Sequence, residues 1–148
     1  KYNAKVPFVK QLAEKCMITA DQKGVIRTKK GRKCRFDEWE TKEWGLHLPE
    51  KFDNAVAKYG RDNIKRAKTY KALNRLIQGS SADQTKQAML NCADKGYLPI
   101  LQIHDELCFN IESDKQVKEI KNLMENCIEF NVPFIVDHGI GDSWGDAK

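Results

Sequence analysis

Leu98-Pro99-Ile100-Leu101-Gln102-Ile103-His104-Asp105-Glu106-Leu107-Cys108-Phe109-Asn110-Ile111 is the stretch on which the fold turns. An apolar run over residues 98–103 follows Gly96, and a second, less regular one covers 107–111. This spacing predicts two antiparallel strands joined by a tight turn that carries His104, Asp105 and Glu106. Adjacent ionised carboxylates repel each other, so a site that keeps both balances them with a cation. Hard oxygen ligands suit Mg²⁺, which keeps several waters and needs only one or two protein carboxylates. Taken alone, the same three residues also suit a solvated polar turn.

Working outward toward the C-terminus, Ser113 and Asp114 start a helix predicted to run to about residue 130. Its apolar face is Val117, Ile120, Leu123, Met124, Cys127 and Ile128. A short strand is expected over 132–136, followed by a tail over 139–148 in which Trp144 reads as core.

Toward the N-terminus, a helix is expected over 4–22, with Pro7 in its first turn and Gly24 as its C-cap. Residues 25–28 and 33–36 flank Lys29-Lys30-Gly31-Arg32, which predicts a short hairpin with a basic tip and Gly31 available for positive φ. Residues 37–50 have no clear period, and Trp39 and Trp44 are expected to pack down within an ordered loop. A short helix is expected over 51–59, ending at Gly60. A basic helix is expected from Asp62 to about 77. Gly79-Ser80-Ser81 reads as a break, with a serine capping a further helix to about 95. The fold class is α+β: a small antiparallel sheet carrying the His-Asp-Glu turn, packed against several helices.

The 148 residues, 41% hydrophobic and 32% charged, suit one domain with a real core and exclude a helical membrane protein. The start, Lys1-Tyr2-Asn3, lacks Met and an apolar leader, which suggests a piece of something longer. The five cysteines, Cys16, Cys34, Cys92, Cys108 and Cys127, lack metal spacing and read as reduced thiols. His47 and His138 stand alone, without ligand spacing.

Charge is unevenly placed. Residues 1–75 carry 20 Lys and Arg against 9 Asp and Glu, a net of +11, whereas residues 76–148 carry a net of −6. The single-sign run Lys29-Lys30-Gly31-Arg32-Lys33-Cys34-Arg35 points to a polyanion, and nucleic acid is the default partner for such a surface.

Three blocks in register then add a resemblance. Asn74-x3-Gln78-Gly79-Ser80-Ser81-Ala82-Asp83-x2-Lys86, then Leu101-Gln102-Ile103-His104-Asp105-Glu106-Leu107, then Val132-Pro133-x2-Val136-x2-Gly139-Ile140-Gly141-x2-Trp144 resemble the C-terminal end of family A, polymerase I type, DNA polymerases. Gly24-Val25-Ile26-Arg27-Thr28-x2-Gly31-Arg32-Lys33 is similar to the hairpin after that family's fingers helices, and Lys5-Val6-Pro7-Phe8-Val9 to the helix start before it. The resemblance implies one segment over 1–148, palm and end of fingers, with 37–60 read as a lineage-specific insertion.

It implies that Asp105 is a catalytic metal ligand, with Glu106 as its less essential catalytic companion and His104 near the primer end. Gln78 and Asn74 would line the duplex minor groove, where acceptors common to all base pairs permit contact without sequence preference. Lys29, Lys30, Arg32, Lys33 and Arg75 would complete the DNA-binding surface. Two Mg²⁺ ions, primer-template DNA, dNTP and an upstream polymerase part are the implied cofactors and partners. A bacterial or phage-infected host cytoplasm is the implied location.

The chain departs from the pattern in two places. Tyr70 stands where family members usually carry Arg, with Lys68, Lys71 and Arg75 nearby to take over the charge. The second metal-binding Asp and the nucleotide-binding fingers helix have no match in these residues, so the chain alone is expected to be inactive. The competing readings are a non-catalytic nucleic-acid-binding module or degenerate polymerase remnant and, more weakly, a metal-dependent nuclease using Asp105 and Glu106.

Overall fold

The computed structural model describes residues 5–147. The chain divides into two units, Lys1–Ser80 and Ser81–Lys148. The division falls close to the point where the charge changes sign. The α+β class holds, with strands in three separate two-stranded antiparallel sheets among the described residues.

In the first unit, helix α1 (Pro7–Lys23) starts on Pro7 and stops at Gly24, whose φ of 66° is left-handed and whose N–H bonds to Ala20 O at 2.9 Å. Its inward row is narrower than the pattern suggested. Cys16 and Ala20 are buried and Val9 and Ala13 half-buried, while Leu12 and Met17 stay exposed. The expected start at Ala4 lies outside the described residues. Strands β1 (Val25–Arg27) and β2 (Lys33–Arg35) pair with Ile26 opposite Cys34. The basic tip closes through Thr28 N–H to Arg32 O (3.0 Å) and Gly31 N–H to Thr28 O (2.9 Å), with Gly31 at φ 86°.

The loop expected over 37–50 is partly a strand. β3 (Trp39–Thr41) pairs with β4 (Ile64–Arg66), placing Trp39 opposite Arg66, and Trp39 also bridges to Glu50. Trp39 packs edge-on against Phe52 of helix α2 (Phe52–Tyr59), with ring centres 5.0 Å apart. Trp44 does not pack down: it is fully exposed, as is Leu46.

The basic helix expected from Asp62 is also corrected. Residues Arg61–Asn63 form a 3₁₀ turn, β4 follows, and Lys68 is left-handed (φ 60°) before a second turn at Thr69–Lys71. A residue at positive φ cannot continue an α-helix. Helix α3 (Ala72–Asp94) then runs unbroken through Gly79-Ser80-Ser81. The serine signal failed because Ser80 Oγ donates back to Leu76 O (2.8 Å) within the helix instead of capping a new one. The core of the unit is Cys16, Ala20, Ile26, Phe36 and Ala72, flanked by Cys34, Leu73 and Leu76.

In the second unit, Gly96 (φ 86°) ends the helical turn after α3, as expected. β5 (Leu101–Ile103) pairs with β6 (Glu106–Cys108), both shorter than the apolar runs, and helix α4 (Asp114–Glu125) stops five residues before the expected end. Ala88, Cys92, Ile120 and Ile128 are buried. Cys127 Sγ reaches Gln84 O at 3.5 Å, and the Tyr97 hydroxyl donates to Glu119. Residues 132–136 form no strand. Val136 N–H bonds instead to the Glu125 carboxylate at 3.0 Å, and Val132 and Ile135 are exposed. Trp144 is 60% exposed, so its assignment to the core is wrong. All five cysteines are free thiols. Among the described residues, no helix is long and apolar enough to cross a membrane.

Candidate active site and nucleic-acid interface

The β5–β6 register pairs Ile103 with Glu106, leaving a two-residue loop of His104 and Asp105. The loop is tight enough to hold His104 at φ 53°, an uncommon conformation for a non-glycine residue. Gln102 Nε2 donates to His104 O at 3.2 Å and braces it. Glu106 is therefore the first strand residue, not part of the turn. Side chains alternate along a strand, but at a hairpin mouth the loop carboxylate and the next residue both reach solvent. His104, Asp105 and Glu106 are all exposed.

Neither carboxylate has an ion-pair partner among the described residues. Two adjacent, unneutralised carboxylates fit part of a divalent-cation site of hard oxygen donors. No group of three or more His, Cys, Asp or Glu side chains gathers among the described residues, so the donor set here is partial.

In the first unit, Asn74 and Gln78 lie four residues apart on α3, on one face and exposed. Arg75 and Gly79 form the adjacent row, and β2 lies against that row. Arg75 Nη1 donates to Arg35 O (3.0 Å), its guanidinium lies 4.6 Å from the Phe36 ring centre, and Cys34 Sγ sits 3.9 Å from Arg75 O. One turn on, Arg32 Nη2 donates to Gly79 O at 2.5 Å. A Cβ on Gly79 would lie 2.9 Å from Thr28 Cγ2, so glycine is what allows the hairpin this close. Lys29, Lys30, Arg32 and Lys33 are exposed around the tip.

The cations beside Tyr70 are already engaged. Lys68 Nζ pairs with Glu38 at 2.7 Å, and Lys71 Nζ lies 5.6 Å from the Tyr70 ring centre. Arg35, Phe36, Asp37, Glu38, Ala67, Lys68 and Arg75 together line an open cleft of about 390 Å³. Sequence reasoning missed the Glu38–Lys68 pair, because its partners are 30 residues apart and only the β3–β4 pairing brings them together. The left-handed conformation at Lys68 had no glycine or asparagine to signal it.

The family model for DNA polymerase family A matches residues 1–146. The chain belongs to that family. It is 40% identical over 148 residues to the DNA-directed DNA polymerase of Pseudomonas phage M6, covering 99% of this chain and 19% of that one. It is 31% identical over 156 residues to DNA polymerase I of Pseudomonas aeruginosa, covering 99% of this chain and 15% of that protein. Among solved structures it is similar to the POL domain of Pol1 from M. smegmatis in complex with DNA primer-template and dNTP. That likeness has a TM-score of 0.72 at 27% identity over 99% of this chain and 24% of that one. The chain thus spans less than a quarter of the length of each of these relatives.

Proposed function

We propose that the chain is the C-terminal part of a template-directed DNA polymerase that adds nucleotides to a primer 3′-hydroxyl. The observation that carries this is the β5–β6 hairpin, which exposes two adjacent carboxylates, Asp105 in the loop and Glu106 at the start of β6, without an ion-pair partner among the described residues, in a chain that belongs to family A. In this reading Asp105 is a ligand of the catalytic Mg²⁺, and Glu106 is its adjacent companion. Such ions, held in part by Asp105, would supply Lewis-acid activation of the primer hydroxyl and charge stabilisation of the leaving pyrophosphate. His104 faces the primer end. Asn74 and Gln78 present side-chain amides to the minor groove, where donors meet acceptors that every base pair offers. Lys29, Lys30 and Lys33 of the basic tip set the chain against the DNA backbone, while Arg32 and Arg75 hold the hairpin to the helix behind them.

One carboxylate turn holds only part of a two-metal site, so nucleotide addition needs an upstream polymerase part that supplies the second Asp and the nucleotide-binding helix. Residues 37–60 belong to this reading as a lineage-specific insertion, held in place by the β3–β4 pairing.

Primer extension tests the proposal. The 148-residue chain alone, with Mg²⁺ and dNTP, gives no extension, while a complete polymerase carrying it extends the primer. Extension by the chain alone overturns the requirement for an upstream part. A complete polymerase that binds DNA but never extends a primer favours the non-catalytic binding module.

A further inference from the structure

Helix α3 is held by the hairpin at two points one turn apart. At the first, Arg75 donates to Arg35 O and stacks on Phe36; at the second, Arg32 donates to Gly79 O at 2.5 Å. Beside the gripped row Arg75–Gly79 runs the exposed row Asn74–Gln78. Thr28 is buried, and its hydroxyl accepts from Arg32 N–H at 3.1 Å, so the segment that carries Arg32 is itself fixed. A Cβ at residue 79 would lie 2.9 Å from Thr28 Cγ2, so the hairpin approaches the helix this closely because Gly79 has no side chain.

We propose that Arg32 is a positioning residue for Gln78: its guanidinium grips the Gly79 carbonyl and so fixes the angle at which the neighbouring Gln78 amide meets the primer-template minor groove. This rests on the reading of Gln78 as a minor-groove contact, and it separates Arg32 from the other basic residues of the tip. A guanidinium committed to a helix carbonyl is not a phosphate contact, although it sits in a basic run. Two anchors one turn apart suit a helix row that must distinguish a paired from a mispaired end, because misplacement by a fraction of an ångström weakens a hydrogen bond.

Two measurements decide it. The first is the salt dependence of duplex DNA binding by the 148-residue chain. Arg32→Ala leaves the slope of log K against log[salt] unchanged, whereas Lys29→Ala lowers it by up to roughly 0.9, as removal of a cation from a phosphate requires. The second is extension of matched against mismatched primer ends by a complete polymerase carrying this chain. Arg32→Ala and Gly79→Ala, which keeps every charge but forces Thr28 and the hairpin to shift against the helix, both reduce discrimination, by roughly tenfold or more for the removal of one charge-assisted hydrogen bond. Neither substitution reduces it further once Gln78→Ala is present. A reduced slope with Arg32→Ala overturns the proposal while leaving the polymerase reading intact. So does a fall in discrimination that persists in the Gln78→Ala background, which is what a general loss of stability gives. A complete wild-type polymerase that never extends a primer overturns both.

Discussion

The Arg66 guanidinium lies 4.5 Å from the ring centre of Trp39, its direct partner across the β3–β4 pairing. The same group donates through Nε to Asp21 O (3.0 Å) and through Nη1 to Phe36 O (2.8 Å). One side chain thus ties the end of α1, the end of the basic hairpin and the β3–β4 ribbon together. Arg66→Ala is expected to destabilise the chain by about 2–3 kcal/mol, since it removes two charged hydrogen bonds and a partly exposed cation–π interaction. Arg66→Lys recovers little of it, because an ammonium cannot reproduce the fork. Urea unfolding of the three proteins measures this, and a midpoint unmoved by Arg66→Ala would contradict it.

Gly24 abuts the same guanidinium. An added Cβ would lie 2.6 Å from Arg66 Cζ, and the position already needs φ of 66°. Gly31 also has positive φ (86°) but open space around it. Gly31→Ala is therefore expected to cost about 1–2 kcal/mol, the backbone strain alone. Gly24→Ala costs more, because the Arg66 bonds must shift as well. Thermal unfolding of the two variants ranks them, and equal effects would show that the Arg66 neighbour adds nothing.

Glu38 accepts a hydrogen bond from the Lys68 ammonium at 2.7 Å, and that bond, then the Lys68 charge itself, holds its carboxyl below the ordinary carboxylate range. Its folded value lies below its unfolded one, so the pair stabilises the fold above the ordinary carboxylate range. That contribution is lost as pH falls through the lowered folded value. Lys68→Met is expected to return the Glu38 titration toward the ordinary range in a carboxyl ¹³C NMR experiment. A titration that does not move would show that the pair does not form in solution.

The basic tip makes a prediction about DNA alone. Replacing Lys29, Lys30 and Lys33 together by Ala is expected to lower the salt slope of duplex binding by up to roughly 0.9 for each phosphate no longer neutralised. Affinity falls about equally across sequences, because phosphates carry no base information. Electrophoretic or anisotropy titrations at several salt concentrations read it. An unchanged slope places the tip away from the DNA.

Much of this fold is legible in the sequence because its signals are local. Pro7 and Gly24 bracket α1, Gly31 marks the basic tip, and the apolar runs around His104-Asp105-Glu106 mark a hairpin. What was not legible depends on distant partners. Ile64 and Ala67 recur at helical spacing and are buried, yet 64–66 is a strand because β3 lies beside it and Arg66 is recruited by Asp21 and Phe36. Gly79-Ser80-Ser81 looks like a break, but Gly79 is small to admit the hairpin and Ser80 bonds back into its own helix. Residues 132–136 have strand-like composition without a strand partner among the described residues, and composition alone does not make a sheet. The turn carboxylates were legible as a pair, whereas the commitment of Arg32 to Gly79 was not, because a basic run looks the same whether its members face DNA or a carbonyl.

The most direct test of the polymerase reading is single-nucleotide addition by a complete polymerase carrying this chain, compared for wild type, Asp105→Asn and Glu106→Gln. Asp105→Asn is expected to abolish addition, because losing an anionic metal ligand removes several kcal/mol of transition-state stabilisation. DNA binding stays intact or tightens slightly, since a charge that repels phosphate is gone while the basic surface remains. Glu106→Gln is expected to be milder, on the order of tenfold to a hundredfold, as for a group that supports a ligand without being the essential one. Equal and small effects in both variants, with DNA binding unchanged, would make the turn a structural feature and contradict the assignment of Asp105 to catalysis.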